Sequence, residues 1–237
     1  CKTGRRKSVR PSDRSWLSPV YLFLYAFTFS LAYVSLDTGT GALILFGAVQ
    51  ITMVIANFFR GRRLSGQELA GMGTAFAGFI YLILPGVSAP PLAGFLLMSL
   101  SGVAWGLYTL RGQSSSNPLV DTGRNFMRSL TLVAVLVLFT FHRSAADSRG
   151  LLLAVLSGSL ASGVGYTVWY FALRGLSTTT AAVSQLAVPV LAAAGGILFL
   201  GETLTLRLTL ATLLILGGIA AVVTARNRPP APADSTT

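Results

Sequence analysis

The chain has 237 residues, of which 53% belong to the hydrophobic set and only 11% carry charge, with a mean hydropathy of +0.69. Soluble domains average about a quarter charged residues, so this composition excludes a water-soluble globule. Eighteen Lys and Arg against seven Asp and Glu give a net charge of +11, but the basic residues sit between long apolar runs, which excludes a nucleic-acid-binding face. Cys1 is the single cysteine and there is one histidine, so neither an internal disulfide nor a metal cluster of zinc spacing is available, and no cofactor is expected.

A basic segment, residues 1–15, opens the chain. It is followed by apolar runs of the length a membrane helix needs, about 20 residues. The pattern predicts eight spans: 16–36, 39–59, 67–86, 91–111, 126–141, 151–173, 179–200 and 206–225, the fifth being the shortest. Asp37-Thr38-Gly39, Pro85-Gly86, Pro90-Pro91 and Asn117-Pro118 supply the breaks between them. Residues 226–237 form a polar tail expected to be disordered. The run at 16–36 is long for a secretory signal, has no small-residue cleavage site and is followed by seven further spans, so it is expected to be retained.

Orientation follows from the distribution of Lys and Arg between the two faces. With eight spans, 15 of the 18 basic residues fall on the side of the N-terminal segment, so both ends of the chain are predicted to be cytoplasmic. Lys2, Arg5, Arg6, Lys7, Arg10 and Arg14, then Arg60, Arg62 and Arg63, then Arg111, Arg124 and Arg128 carry this bias and are read as topology and headgroup anchors. The expected location is the plasma membrane, in a bacterium the inner membrane.

Sliding the sequence on itself by 140 residues aligns 32–79 with 172–219 without a gap. Nine positions are identical, among them Thr38/Thr178, Phe59/Phe199, Gly61/Gly201, Leu64/Leu204 and Gly78/Gly218. Spans one to three therefore match spans six to eight. Span one runs outward and span six inward, so the copies are predicted to be inverted across the membrane, an arrangement that secondary transporters use for alternating access. The loop Arg60-Gly61-Arg62-Arg63 is basic and its mate Leu200-Gly201-Glu202-Thr203 is not, as inversion requires. Spans four and five lack counterparts before the first copy, which leads to an expected parent of ten helices in two five-helix repeats, two of them absent here.

Several stretches resemble a known family. Ser177-Thr178-Thr179-Thr180-Ala181-Ala182, then Pro189, then Phe199-Leu200-Gly201-Glu202-Thr203-Leu204-Thr205, then Leu216-Gly217-Gly218 resemble the closing three helices of the EamA-type transporters of the drug/metabolite transporter superfamily. Ser101-Gly102-Val103-Ala104-Trp105-Gly106-Leu107-Tyr108 resembles the helix that opens that family's second half. The resemblance implies an all-α polytopic integral membrane protein with inverted five-helix repeats, both termini inside, that exports or imports small solutes. It divides the chain into the remainder of a first repeat, 16–86, and a second repeat, 91–225. The first-half motif departs from the pattern, reading Phe59-Arg60-Gly61-Arg62 where an acidic residue often follows the glycine.

Polar and aromatic side chains inside the spans indicate where a solute could sit. Gln50 and Gln185 are amides within spans, and Pro189, which has no N–H, strips the Gln185 carbonyl of its helical partner and marks span seven as a candidate broken helix. Ser101, Trp105 and Tyr108 share one face of span four, and Tyr166, Trp169 and Tyr170 one face of span six. Trp105 and Tyr166 lie deepest and are expected to wall the cavity, which would suit an aromatic or cationic organic solute. The substrate-binding set is thus Gln50, Trp105, Tyr166, Gln185 and Pro189. Glu202 is the candidate gate or coupling residue; the plainer reading is an external helix-end carboxylate paired with Arg207 or bound to water. Small residues on span three, Gly71, Ala75 and Gly78, and on span six, Gly158, Ser159, Ser162, Gly163 and Gly165, are expected to mediate helix packing.

These features predict a secondary carrier that exports a small organic solute by alternating access; its partners would be that solute and the bilayer, and a homodimer is left open. An enzyme is disfavoured because hydroxyls such as Ser184 have no His or acid nearby, and an ATP-driven pump because no phosphate-binding Gly-Lys-Ser/Thr loop is present. The alternative is a truncated, non-transporting membrane protein or one part of a hetero-assembly.

Overall fold

The computed structural model describes residues 15–59, 61, 65–84, 89–112, 117–140, 147–165, 168, 172 and 187–226. The described residues are helical and contain no strand. Helix α1 is Leu17–Ala32 and α2 is Thr38–Phe59, which opens after Asp37, whose carbonyl accepts from the Gly41 N–H. Helix α3, Gly66–Ile83, begins in a capping box: Ser65 accepts from the Glu68 N–H while the Glu68 carboxylate accepts from the Ser65 N–H. Helix α4 is Leu92–Gly112 and α5 is Pro118–Thr140, with proline at the first position, where its missing N–H costs nothing. Helix α6, Ser148–Leu156, is capped by Asp147 and continues as a π-helical segment, Ser157–Val164. Helix α7 is Ala187–Leu200 and α8 is Leu206–Arg226.

Contacts between the helices fix their directions. The Ser101 hydroxyl on α4 donates to the Tyr25 carbonyl on α1 at 3.0 Å, and Arg111 at the end of α4 reaches Ser15 and Ser18 at the start of α1, so these helices are antiparallel. Helix α2 runs parallel to α4, with Gly94 against Leu36, Gly102 against Leu45 and Gly106 against Thr52. It also runs parallel to α8, since Gly47 lies against Ile215 while Val54 shares a cavity with Val222. Helices α3 and α8 are antiparallel, Gly71 facing Gly218 and Gly78 facing Ile215. Thus α1 and α3 point one way and α2, α4 and α8 the other. The start of α1 and the end of α8 consequently lie at the same end of the bundle.

The α3–α8 pair is the tightest junction. A Cβ on Gly218 would stand 2.5 Å from the Gly71 carbonyl oxygen and 2.6 Å from the Ala75 nitrogen, and one on Gly71 would stand 2.6 Å from the Gly218 carbonyl oxygen. Both clashes are with backbone, which cannot swing aside. Around this junction lies the principal cluster of buried side chains, including Leu43, Ile44, Leu82, Met98, Ala211 and Ile215.

Several of these features involve residues 140 positions apart. Gly61 and Gly201 are the residues with positive φ among those described, at +85° and +68°. Four residues later, Ser65 and Thr205 each accept from the third N–H of the helix that follows, at 3.2 and 3.1 Å. Gln67 donates to the Ala221 carbonyl at 3.5 Å, and its mate Arg207 donates to Tyr81, the mate of Ala221, at 3.4 Å. Contacts of Ala75 with Gly218 are matched by those of Ile215 with Gly78.

One expectation needs correction. Helix α5 starts at Pro118 rather than 126, and residues 118–125 continue it, with Arg124 and Asp121 paired at 3.5 Å one turn apart. Among the described residues, a Cβ on Gly158 would meet nothing within 4 Å, and those on Gly163 and Gly165 would meet carbonyls of their own helix. Among the described residues, four helices are long and apolar enough to cross a membrane, at Thr38–Ala56, Leu92–Gly112, Leu119–Thr140 and Leu206–Ala225. Phe139, Leu138, Phe199 and Leu198 are more than three-quarters exposed, as befits surfaces facing lipid rather than water.

Replacing Gly218 by Ala is expected to destabilise the protein by about 1–3 kcal/mol through backbone overpacking. Gly217→Ala, where a Cβ meets nothing within 4 Å, serves as the neutral control. Thermal unfolding of the two variants in detergent measures the difference.

Candidate functional site

Of the residues selected from sequence, Gln50, Trp105, Pro189 and Glu202 are described, whereas Tyr166 and Gln185 lie outside the described residues. Trp105 belongs to an aromatic ladder. Its ring tilts against Tyr25 of α1 at 4.7 Å and stacks with Tyr108 of its own helix at 5.4 Å; Tyr25 in turn meets Phe29, and Phe29 meets Tyr33 edge-on at 4.7 Å. The ladder exists because aromatic residues recur at three- and four-residue spacing on the facing stripes of α1 and α4. Tyr108 is buried, and its hydroxyl donates to Thr122 of α5 at 3.4 Å and accepts from the Asn125 amide at 3.5 Å.

Gln50 sits elsewhere. Leu45, Ala48, Val49 and Thr52 form the face of α2 that meets α4, and at 100° per residue Gln50 and Val54 fall on the other side. There Gln50 lines a cavity of ≈ 20 Å³ with Ile51, Val54, Met72, Ala75, Ile219, Val222 and Val223. Such a space holds a water molecule and no organic solute. Gln50 therefore faces α3 and α8, on the side of α2 away from α4, the helix that carries Trp105. Both are inside spans, as sequence suggests, but azimuth around a helix is set by its neighbours.

Pro189 is buried in the first turn of the described α7. That helix packs on α2: a Cβ on Gly39 would come within 2.6 Å of the Ala193 Cβ. The far end of α7 carries Glu202. At Gly201 the chain reverses, the Glu202 N–H donates to the Gly196 carbonyl at 3.1 Å, and the carboxylate folds back over Gly196, occupying the place a side chain there would take. One carboxylate oxygen, Oε1, accepts from both the backbone N–H of Thr38, at 2.7 Å, and the Thr38 hydroxyl, at 2.6 Å. Thr38 opens α2, so a negative charge meets the positive end of a helix dipole. The Tyr33 hydroxyl donates to the Thr38 carbonyl at 3.2 Å, and its ring packs on Gly41.

Arg207 is not the partner of Glu202. Its guanidinium reaches across to α3, donating to the carbonyls of Tyr81, Leu82 and Leu84 and lying over the Tyr81 ring at 5.8 Å. Carbonyls at a helix C-terminus lack intrahelical donors, and several together outcompete one carboxylate. Sequence proximity suggested the ion pair; the reversal at Gly201 sends the two charges to opposite helix termini. Among the described residues no cluster of His, Cys, Asp or Glu could hold a metal ion.

Comparison with known proteins agrees with this architecture. Residues 92–224 match the EamA-like transporter family. An uncharacterized protein of Pseudomonas aeruginosa is 53% identical over 222 residues, covering 94% of this chain and 77% of the relative. A probable amino-acid metabolite efflux pump of Escherichia coli is 25% identical over 210 residues, 82% of this chain and 70% of its own. One solved crystal structure shares the fold, with a TM-score of 0.60 at 19% identity over 90% of this chain and 76% of that one.

The Tyr25–Trp105 contact is expected to contribute about 0.5–1.5 kcal/mol beyond its buried area. A double-mutant cycle with Tyr25→Leu and Trp105→Leu, read by chemical unfolding in detergent, should return a coupling of that size; additive losses would remove the ladder as a joint between α1 and α4.

Proposed function

Because the chain belongs to the EamA-like transporter family, whose members are membrane transporters rather than enzymes, we propose that it is a secondary carrier exporting a small organic solute by alternating access across a bacterial inner membrane. The observation that carries this reading is the set of contacts related by the 140-residue offset. Gly61 and Gly201, Ser65 and Thr205, and Gln67 and Arg207 play matching parts around an antiparallel α3–α8 pair. An antiparallel pair whose contacts exchange under that offset is what two copies inverted about an axis in the membrane plane produce. Such copies can trade conformations, opening the cavity to one face and then the other.

On this reading the chain crosses the bilayer eight times with both ends cytoplasmic, a topology supported by the common end at which α1 begins and α8 finishes. Trp105, Tyr166, Gln185 and Pro189 form the wall of the pathway, and Gln50 supplies a polar group behind α2. The relatives named as amino-acid metabolite efflux pumps favour an amino-acid-like or other small polar organic solute. An aromatic wall at Trp105 would hold a cationic or aromatic part of such a solute. The chain is assigned to the solute and the bilayer as partners.

Purified protein reconstituted in vesicles should catalyse saturable exchange of radiolabelled amino acids, screened singly. Trp105→Ala is expected to raise KM or abolish exchange, by tenfold or more in kcat/KM, on the order of the 1.4 kcal/mol that a lost ring contact represents. Flux that stays proportional to concentration and equal to that of empty vesicles would overturn the carrier.

A further inference from the structure

The contact between Glu202 and Thr38 joins the two halves of the chain at one end of the bundle, and we propose that it is a one-sided latch which holds the cavity shut at that face and so sets the resting state of the carrier. The proposal rests on the carrier reading above and adds to it a preferred conformation.

Three observations carry it. The first is geometric: Oε1 of Glu202 takes both donors that Thr38 offers, and these are the first N–H and hydroxyl of α2. A side-chain acceptor from a distant part of the chain thereby caps a helix that would otherwise present unpaired N–H groups. The second is that the surroundings are shaped for this contact. Gly196 leaves the space in which the carboxylate lies, Gly201 turns the chain with φ +68° so that Glu202 can fold back, and Gly39 lets α2 close on Ala193. Tyr33 braces the same turn through the Thr38 carbonyl.

The third observation is an asymmetry. Under the 140-residue offset Glu202 maps onto Arg62 and Thr38 onto Thr178. Arg62 and Thr178 lie outside the described residues, and only their chemical type enters here. An arginine has donors and no acceptor, so it cannot cap a helix N-terminus, and its charge opposes the positive end of the dipole. Two inverted halves with identical gates would favour neither face. Here one face has a charge-assisted latch and its mate position carries the wrong charge, so the equilibrium leans toward closure on the Glu202 side, the side that the distribution of basic residues places outside.

The latch can be tested by distance measurement. Cys1 is the sole native cysteine, so a Cys1→Ser background accepts spin labels at Val34→Cys and Phe199→Cys, both highly exposed positions flanking the joint. In reconstituted vesicles the parent should show one dominant short distance. Glu202→Ala should raise the ratio of long to short distances about tenfold or more, the order expected for losing hydrogen bonds to a charged group. Thr38→Val, which keeps the N–H, should raise it less, and Arg207→Gln, in the first turn of α8 and bonded to α3, should leave it unchanged. An unchanged distribution in both Glu202→Ala and Thr38→Val, with the variants folded by gel filtration, would overturn the latch. Amino-acid flux measured on the same vesicles separates the two levels: a shifted distance without saturable flux in the parent keeps the latch and removes the carrier, whereas flux with unshifted distances does the reverse.

Discussion

Close approach of backbone at Gly71 and Gly218 is the constraint on which the rest of the architecture depends. Inside lipid the apolar effect gives helices no reason to prefer one another over acyl chains, so association relies on van der Waals contact and interhelical hydrogen bonds. Both require that backbones come near, and at the α3–α8 junction a single added methyl group would meet a carbonyl oxygen at 2.5 Å. Once the two helices are seated there, Gln67 and Arg207 can reach the carbonyls at the partner's C-terminal end, and α2 packs into the groove through Gly47 and Phe79. The polar contacts at the helix ends thus follow from the glycines at the centre.

The same logic runs through the other junctions at lower density. Gly102 and Gly106 admit α2 to α4, and Gly39 admits α7 to α2. What differs at the α2–α7 junction is the addition of a charge. A carboxylate placed on a helix N-terminus is a directional contact whose strength depends on the registration of two elements, unlike an apolar contact that tolerates sliding. A joint of this kind is made or broken as a unit, whereas the α3–α8 contact is a broad packing of backbone on backbone.

Much of the fold was legible in the sequence because hydropathy and small-residue spacing act locally. The runs of apolar residues anticipate α2, α4 and α8 to within about two residues at each end, and Gly61 and Gly201, aligned by the offset of 140 residues, both have positive φ. It passed over Ser65/Thr205 and Gln67/Arg207 because identity counting ignores residues that differ in type while making the same hydrogen bond. Hydropathy misplaced the start of α5, since a helix continues through polar residues wherever water or headgroups receive them. The candidate site was less legible. Depth in a span can be counted, which is why Trp105 and Gln50 were both chosen, but the side of the helix they occupy depends on which neighbour each stripe meets, and Gln50 faces α3 and α8, away from α4. Glu202 was recognised as the notable carboxylate, yet its partner was assigned by sequence distance, while the turn at Gly201 delivered it to Thr38, 164 residues away.

The central claim is that the two copies of the repeat face opposite sides of the membrane, and Phe59 and Phe199 test it most directly. They are mates under the 140-residue offset, both are more than four-fifths exposed, and Thr38, at the far end of α2 from Phe59, sits beside Glu202. Twenty-two helical residues separate the ends of α2, a span of about 33 Å. Single cysteines placed at each position in a Cys1→Ser background, in sealed membranes of known sidedness, can be probed with a membrane-impermeant maleimide. The account predicts labelling at Phe199→Cys from the outside and at Phe59→Cys only from the cytoplasmic side; labelling of both from the same side would contradict it.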